Sequence, residues 1–397
     1  MKASNRLMIG LISLLLLTAC GSGNQNQADL PPQPSLKAVA VTAGGFHSCS
    51  LPGDGTVKCW GQNGEGQLGD GKKAVSLTEV SVTGITSAMA VTAGGYHTCA
   101  LLSDGTVQCW GRNDKGQLGD GTTSPSLTSV AVTGIATATA VTTGKYHTCA
   151  LLSDGTVQCW GENDEGQLGD GTVVLSSIPV AVSGIASAAA ITGGGAHSCA
   201  MLEDGTVQCW GRNFEGQLGS GGGSGATTAA AVTGITTATA VTAGKYHTCA
   251  LLSDGTVQCW GRNTEGQLGD GINAGPEICI DNIPCSTHPL AVAGIASATV
   301  VTAGGFHNCA LLADDTVRCW GMGTVGQIGN GAYTSSSTTA AVSGIASATT
   351  ITGGGFHTCA HLSNSTVQCW GANETGQLGN GTTASSPTPV SVIDLSS

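Results

Sequence analysis

Seven tryptophans occur in the 397-residue chain, and each stands in a Cys-Trp-Gly triplet. They are Trp60, Trp110, Trp160, Trp210, Trp260, Trp320 and Trp370, spaced by fifty residues with a single step of sixty. A fixed period of this size marks a solenoid or a propeller and governs every local reading. One unit, from Val80, runs VSVTGITSAMAVTAGGYHTCALLSDGTVQCWGRNDKGQLGDG. Short β-type runs alternate with Gly-rich turns, without helical periodicity. Strands are expected near Val80–Val82, Ala88–Thr92, His97–Leu102 and Thr106–Trp110. Four short strands per unit is the pattern of a propeller blade, and closing seven of them into a ring removes the long open edges of a linear array. The expected fold is therefore all-β, a seven-bladed β-propeller over residues 37–397. The first unit starts midway, at Ala38–Val41, and the chain closes on Pro389–Val392. The ring is accordingly expected to close by joining N- and C-terminal strands, the last strand entering the first unit's sheet.

The unit G-x-x-H-x-C-A-L-x-x-D-G-T-V-x-C-W-G-x-N-x-x-G-Q-L-G-D-G resembles the regulator of chromosome condensation repeat across residues 38–397. The resemblance implies a seven-bladed propeller. A kelch propeller has a similar period, but G-Q-L-G after the Trp fits it poorly. Two positions per unit depart from the family pattern, with Cys in place of common apolar residues.

Those cysteines form seven pairs ten residues apart: Cys49 and Cys59, Cys99 and Cys109, Cys149 and Cys159, Cys199 and Cys209, Cys249 and Cys259, Cys309 and Cys319, Cys359 and Cys369. A three-residue hairpin loop at Ser103–Gly105, with Gly105 left-handed, would set Cys99 opposite Cys109. Opposed Cα atoms then lie within disulfide reach. A two-residue Asp-Gly turn would shift the register by one and misalign them, so the two hairpins predict different chemistry. Cys279 and Cys285 remain as a further candidate pair. The rival reading of the repeat cysteines is a metal site in each blade, from residues such as His97, Cys99 and Cys109. An oxidising compartment favours disulfides.

The N-terminus points to such a compartment. Lys2 and Arg6 precede an apolar run, Leu7–Leu17, too short to span a bilayer and suited to a signal-peptide core. Leu17-Thr18-Ala19-Cys20-Gly21 resembles the lipobox of bacterial lipoproteins, which implies cleavage before Cys20 and its acylation. By the same resemblance, the lack of Asp after Cys20 favours the outer membrane. Residues 1–19 are thus read as a lipoprotein signal peptide and 20–36, polar and Pro-rich, as a lipid-anchored flexible tether. The net charge is −12, and cleavage would leave 11 basic and 25 acidic residues. Nucleic-acid binding needs a basic face, which this balance does not supply.

Several repeated residues imitate functional sites. A histidine recurs at His47, His97, His147, His197, His247, His307 and His357; one per blade keeps metal ligands apart, and the family resemblance implies that each satisfies backbone groups in its turn. Asp54, Asp104, Asp154, Asp204, Asp254 and Asp314 are what such turns favour locally. Asp70, Asp120, Asp170, Asp270, Asn330 and Asn380 are read likewise, since single acids make poor calcium sites. The tryptophans are expected to pack between blades. No nucleophile elbow, phosphate loop, zinc-protease or haem motif occurs, so no catalytic residue, metal or cofactor is assigned.

In a repeat protein, specificity sits where copies differ. The fifth unit inserts ten residues within Ile272–Pro289, carrying Cys279 and Cys285. Phe214 and Tyr333 are the only Phe or Tyr outside the position before the repeat His, and Ser220–Gly225 is a Gly-rich departure. Antiparallel connectivity sends all of these to one face, a candidate partner-binding surface. The expected function is a non-catalytic protein-binding or scaffold module, monomeric and membrane-anchored. The alternatives are guanine-nucleotide exchange, implied by the family resemblance, and an enzyme inhibitor or a channel-mouth lyase or hydrolase.

Overall fold

The computed structural model describes residues 38–272 and 275–393. The leader, the tether and Cys20 lie outside the described residues. The first blade consists of β1 (Ala38–Ala43), β2 (His47–Pro52), β3 (Lys58–Gly61) and β4 (Ser76–Ser81). They form an antiparallel sheet in chain order, and the other six units repeat this arrangement. The fifth blade adds the two-residue strand Glu277–Ile278 on its outer edge, paired with an outer strand lengthened to Pro284–Ala291. The sole helical segment among the described residues is the 3₁₀ turn Ile280–Asn282 in that insert. In the second blade the strands are Ala88–Ala93, His97–Leu102, Val107–Gly111 and Ser126–Ala131. The strand expected near Val80 begins earlier, at Ser76, and belongs to the preceding blade.

This assignment corrects the expected closure. Residues Ser386–Ser391 form the outer strand of the seventh blade, beside Val367–Gly371, and do not enter the first sheet. The ring closes by packing blade against blade. Trp60 lies in one cluster with Cys359, Cys369 and Leu378, and its indole N–H donates to the Gln377 carbonyl at 2.9 Å. Gly355 N–H donates to the Gly44 carbonyl at 2.9 Å, the same turn-to-turn bond that Gly45 makes to Gly94. A blade whose four strands are contiguous in sequence needs no strand from the far terminus.

Each inter-blade core is built around a tryptophan. Trp110 of the second blade is fully buried against Cys49, Leu51, Val57, Cys59 and Leu68 of the first. A buried indole needs an acceptor for its N–H, and the Gln67 carbonyl supplies it at 2.9 Å. The G-Q-L-G segment fits this close approach: a Cβ on Gly119 would stand 2.6 Å from the Trp160 Nε1, at a φ of +70°. Only glycine meets both conditions without strain.

The hairpin register follows the three-residue loop. Leu102 N–H donates to the Thr106 carbonyl, Gly105 has φ +80°, and Cys99 pairs directly with Cys109. Ladder bonds alternate in an antiparallel pair. Counting from Leu102–Thr106 therefore puts Cys99–Cys109 at a non-hydrogen-bonded position, where the chains approach most closely; the Cα atoms are 4.0 Å apart. All seven repeat pairs are disulfide-bonded in this way, and Cys279–Cys285 forms an eighth bond.

Candidate functional site

Because each sheet runs antiparallel in chain order, the turns between the first and second strands and the connections after each Trp emerge on one face. The Ser-Asp-Gly hairpins emerge on the other. The first set of turns surrounds the mouth of the central channel, a cavity of about 360 Å³ walled by small residues such as Ala43, Gly44 and Gly94. Those glycines let the turns stack, since a Cβ on Gly44 would meet the Gly94 carbonyl oxygen at 2.6 Å.

Around the mouth stands a crown of six aromatic rings: Phe46, Tyr96, Tyr146, Tyr246, Phe306 and Phe356, each immediately before its blade's histidine. Adjacent rings lie 5.8 to 6.0 Å apart between centroids, from Tyr146 through Tyr96, Phe46, Phe356 and Phe306 to Tyr246. The crown is broken once, in the fourth blade, where Ala196 replaces the aromatic. Five cations lie against the rings. Arg112 sits 4.9 Å from the Tyr146 centroid, Lys145 4.6 Å from the same ring, and Lys245 4.9 Å, Arg262 5.4 Å and Arg212 5.7 Å from Tyr246. Such contacts are favourable by about 0.5–1 kcal/mol when exposed. The three tyrosines and the five cations occupy one side of the mouth, whereas Phe46 and Phe356 have no cation against them among the described residues. Arg112 is paired with Asp114, and Arg212 with Glu165 and Glu215. These bonds raise both guanidinium pKa values.

One aromatic per blade is indistinguishable in the sequence from repeat architecture. The signal that would have shown the crown was the loss of the aromatic at Ala196, with Lys145 and Lys245 in the two flanking units at a position held elsewhere by glycine.

Three of the sequence outliers come together. Phe214 joins the stapled insert in a second cavity of about 240 Å³, lined also by Gly223, Glu277, Ile278, Cys279 and Ile280. Ile278 is 64% exposed and Ile280 48%, an unusual display for large aliphatic side chains beside an exposed aromatic. Tyr333 does not join them. It lies in the post-Trp connection of the sixth blade, half exposed, with its hydroxyl 3.4 Å from the Ser385 carbonyl of the seventh.

The histidines depart from expectation in their partners. His97 Nε2 lies 2.9 Å from the Thr148 hydroxyl of the next blade, rather than on backbone groups of its own turn. The same tie recurs around the ring, with Ser198 and Asn308 as partners of His147 and His247. All seven are fully buried, with no hydrogen-bond partner at Nδ1. Burial pushes the imidazoles down, to about 3 at His97 and about 4 at His147. They are neutral ties between blades. The hairpin acids act locally too: the Asp104 carboxylate accepts from both the hydroxyl and the N–H of Thr106, bonds that hold its pKa below the usual range. Asp120 accepts from Asn113 and Thr122 in the same manner. Among the described residues, no group of three or more His, Cys, Asp or Glu side chains is placed to hold a metal, and no helix is long and apolar enough to cross a membrane.

A family model described as RCC1-like domain matches residues 16–343, and one described as regulator of chromosome condensation (RCC1) repeat matches residues 366–397. Similar solved structures include yeast RCC1 (Prp20) bound to Kap60, with TM-score 0.74 and 18% identity over 96% of this chain and 92% of that one. Human WBSCR16 gives TM-score 0.75 and 19% identity, over 86% and 94%. Prp20p from Saccharomyces cerevisiae, a structure described together with its binding to Gsp1p and histones, gives 0.73 and 21%, over 91% and 88%. At these identities the likeness is one of fold. No curated protein matches the chain at significant similarity.

Proposed function

The chain belongs to the RCC1-like domain family, and from that footing we propose that it is an exported, lipid-anchored propeller that holds a protein partner without catalysing a reaction. The observation that carries the reading is the patch on the loop face, where Phe214 and the insert held by Cys279–Cys285 line one cavity and Ile278 and Ile280 are exposed. A staple that fixes a protruding loop lowers the ordering cost of binding. Exposed aromatic and aliphatic side chains on a rigid loop are what a partner's apolar surface would cover. Relatives of this fold also bind proteins, Kap60 in one structure and Gsp1p and histones in the description of another.

Export is supported by the chemistry of the cysteines. Eight disulfides persist in an oxidising compartment and are rare in a reducing one. In this reading residues 1–19 are removed, Cys20 carries the lipid, and residues 20–36 tether the ring to the outer membrane as a monomer. The same disulfides count against an exchange factor working in a reducing cell interior, and the net charge of −12 counts against nucleic acid as the partner.

The test is photo-crosslinking in the native host, with a crosslinker placed at Ile280 and again at Ser103 on the opposite face. A discrete protein adduct from Ile280, lost in a Phe214→Ala/Ile278→Ser background and absent from Ser103, supports the reading. Equal adducts from both faces, or none from Ile280, overturn it.

A further inference from the structure

The channel mouth carries a second site, independent of the patch around Phe214. We propose that the channel mouth, open at Ala196, binds a small planar carboxylate, with its apolar body in the glycine-walled cavity and its charge between Lys145 and Lys245.

Four observations converge on this site. The cavity, at about 360 Å³, falls in the size range of small-molecule sites, and Lys145, Lys245 and Gly193–Gly195, next to Ala196, line it. Its wall is mostly Gly and Ala with Phe46, Tyr96, Phe306 and Phe356 at the rim, so a flat apolar body finds faces to lie against. The crown is open in one blade alone, because Ala196 stands where the other six have Phe or Tyr. Lysine occupies the position before the aromatic only in the third and fifth blades, the two that flank the opening.

The charges favour an anion. Among the described residues, Lys145 and Lys245 have no carboxylate within ion-pairing distance; each has its ammonium against a ring, Lys245 also 5.1 Å from Phe306. The acids nearby are otherwise engaged. Glu165 and Glu215 both bind Arg212, and Glu215 is buried beneath it. Glu265 accepts from the Ser335 hydroxyl. The Arg262 guanidinium donates to the Thr264 hydroxyl and, among the described residues, has no carboxylate in ion-pairing distance, a third such cation on the same side. A neutral planar ligand would leave these cations uncompensated, and a cationic one would be repelled by them.

The experiment titrates the intact disulfide-bonded chain with 2-naphthoate, 2-naphthalenemethanol and 2-naphthylmethylammonium, reading protein-observed NMR shifts or calorimetric heats. Saturable binding of the carboxylate alone is expected. Ala196→Tyr restores the residue type of the other blades, so it should fold as the parent does and abolish binding. Lys145→Gln/Lys245→Gln should weaken binding about tenfold, as loss of charge-assisted contacts does. Failure of naphthoate to saturate in the low millimolar range overturns the proposal. So does equal binding of the alcohol, or unchanged binding to the folded Ala196→Tyr variant. None of these outcomes bears on the crosslinking at Ile280, so the two readings fail separately.

Discussion

His47 Nε2 lies 2.8 Å from the hydroxyl of Thr98, across the boundary between the first and second blades. The hydroxyl passes the bond on, donating to the Gln67 carbonyl at 2.8 Å, which also takes the indole N–H of Trp110. Each interface therefore joins a histidine, a hydroxyl or amide side chain, a main-chain carbonyl and a tryptophan with little solvent access. The last interface is the same, with Ser48 2.7 Å from His357 Nε2 and 3.0 Å from the Gln377 carbonyl it donates to.

Acid should dissolve these interfaces. The folded-state pKa of each buried histidine lies near 3 or 4, below the usual 6.5. The unfolded chain therefore takes up protons first as pH falls. Stability is complete above about pH 6.5 and declines steadily below it, by about 2 kcal/mol per histidine by pH 5. Seven such groups together match the net stability of a whole domain, ~5–15 kcal/mol. Urea midpoints between pH 7.5 and 5 should drop steeply, and His97→Gln should reduce the proton uptake on unfolding by one. A flat profile would contradict the neutral-histidine account.

The indole hydrogen bond is separable from the packing. Trp110→Phe keeps an aromatic in the interface but removes the donor to Gln67, whose carbonyl still accepts from Thr98. The expected loss is about 1–3 kcal/mol from the bond and the lost ring volume, against about 3–5 kcal/mol for Trp110→Ala. Chemical denaturation of both variants measures the difference.

Gly119 should tolerate no side chain. Its φ of +70° and the nearness of Trp160 Nε1 make Gly119→Ala strained in backbone and clashing in space. Gly134, at a φ of +76° but with open space around its Cβ position, isolates the backbone component. Gly119→Ala should lower the thermal midpoint clearly more than Gly134→Ala; equal losses would mean that the Trp contact is unimportant.

The disulfides should differ in access. Cys99 and Cys109 are fully buried, whereas Cys279 is partly exposed in the insert. Mild reductant should release two thiols first, and alkylation with peptide mapping should find them at Cys279 and Cys285. Removing one repeat staple, as in Cys99→Ser/Cys109→Ser, should cost about 2–3 kcal/mol.

The repeat made the blades readable, because the Cys99–Cys109 register and the left-handed hairpin turn are local properties that recur seven times, the turn with Gly in five units and with Asp315 and Ser365 in the other two. Closure was not readable in the same way. The runs at Val39–Val41 and Val390–Val392 are both apolar β-type segments, and nothing local says whether they share a sheet or lie in adjacent blades. The histidine partners were hidden for a related reason: Thr98 is 51 residues from His47, and only the ring brings them together. The aromatic crown was written in the sequence as one residue per unit. Its meaning depends on the turns meeting around one mouth, which is a property of the closed ring.

Mass spectrometry of the chain purified from the membrane of its native host bears most directly on the account of an exported, stapled propeller. Peptide mapping with thiol counting before and after reduction should find an acylated Cys20 as the first residue, no free repeat thiol, and linked peptides at each pair from Cys49–Cys59 to Cys359–Cys369. An unmodified N-terminus at Met1 with free repeat cysteines would contradict it, and would return the chain to the reducing side of the membrane.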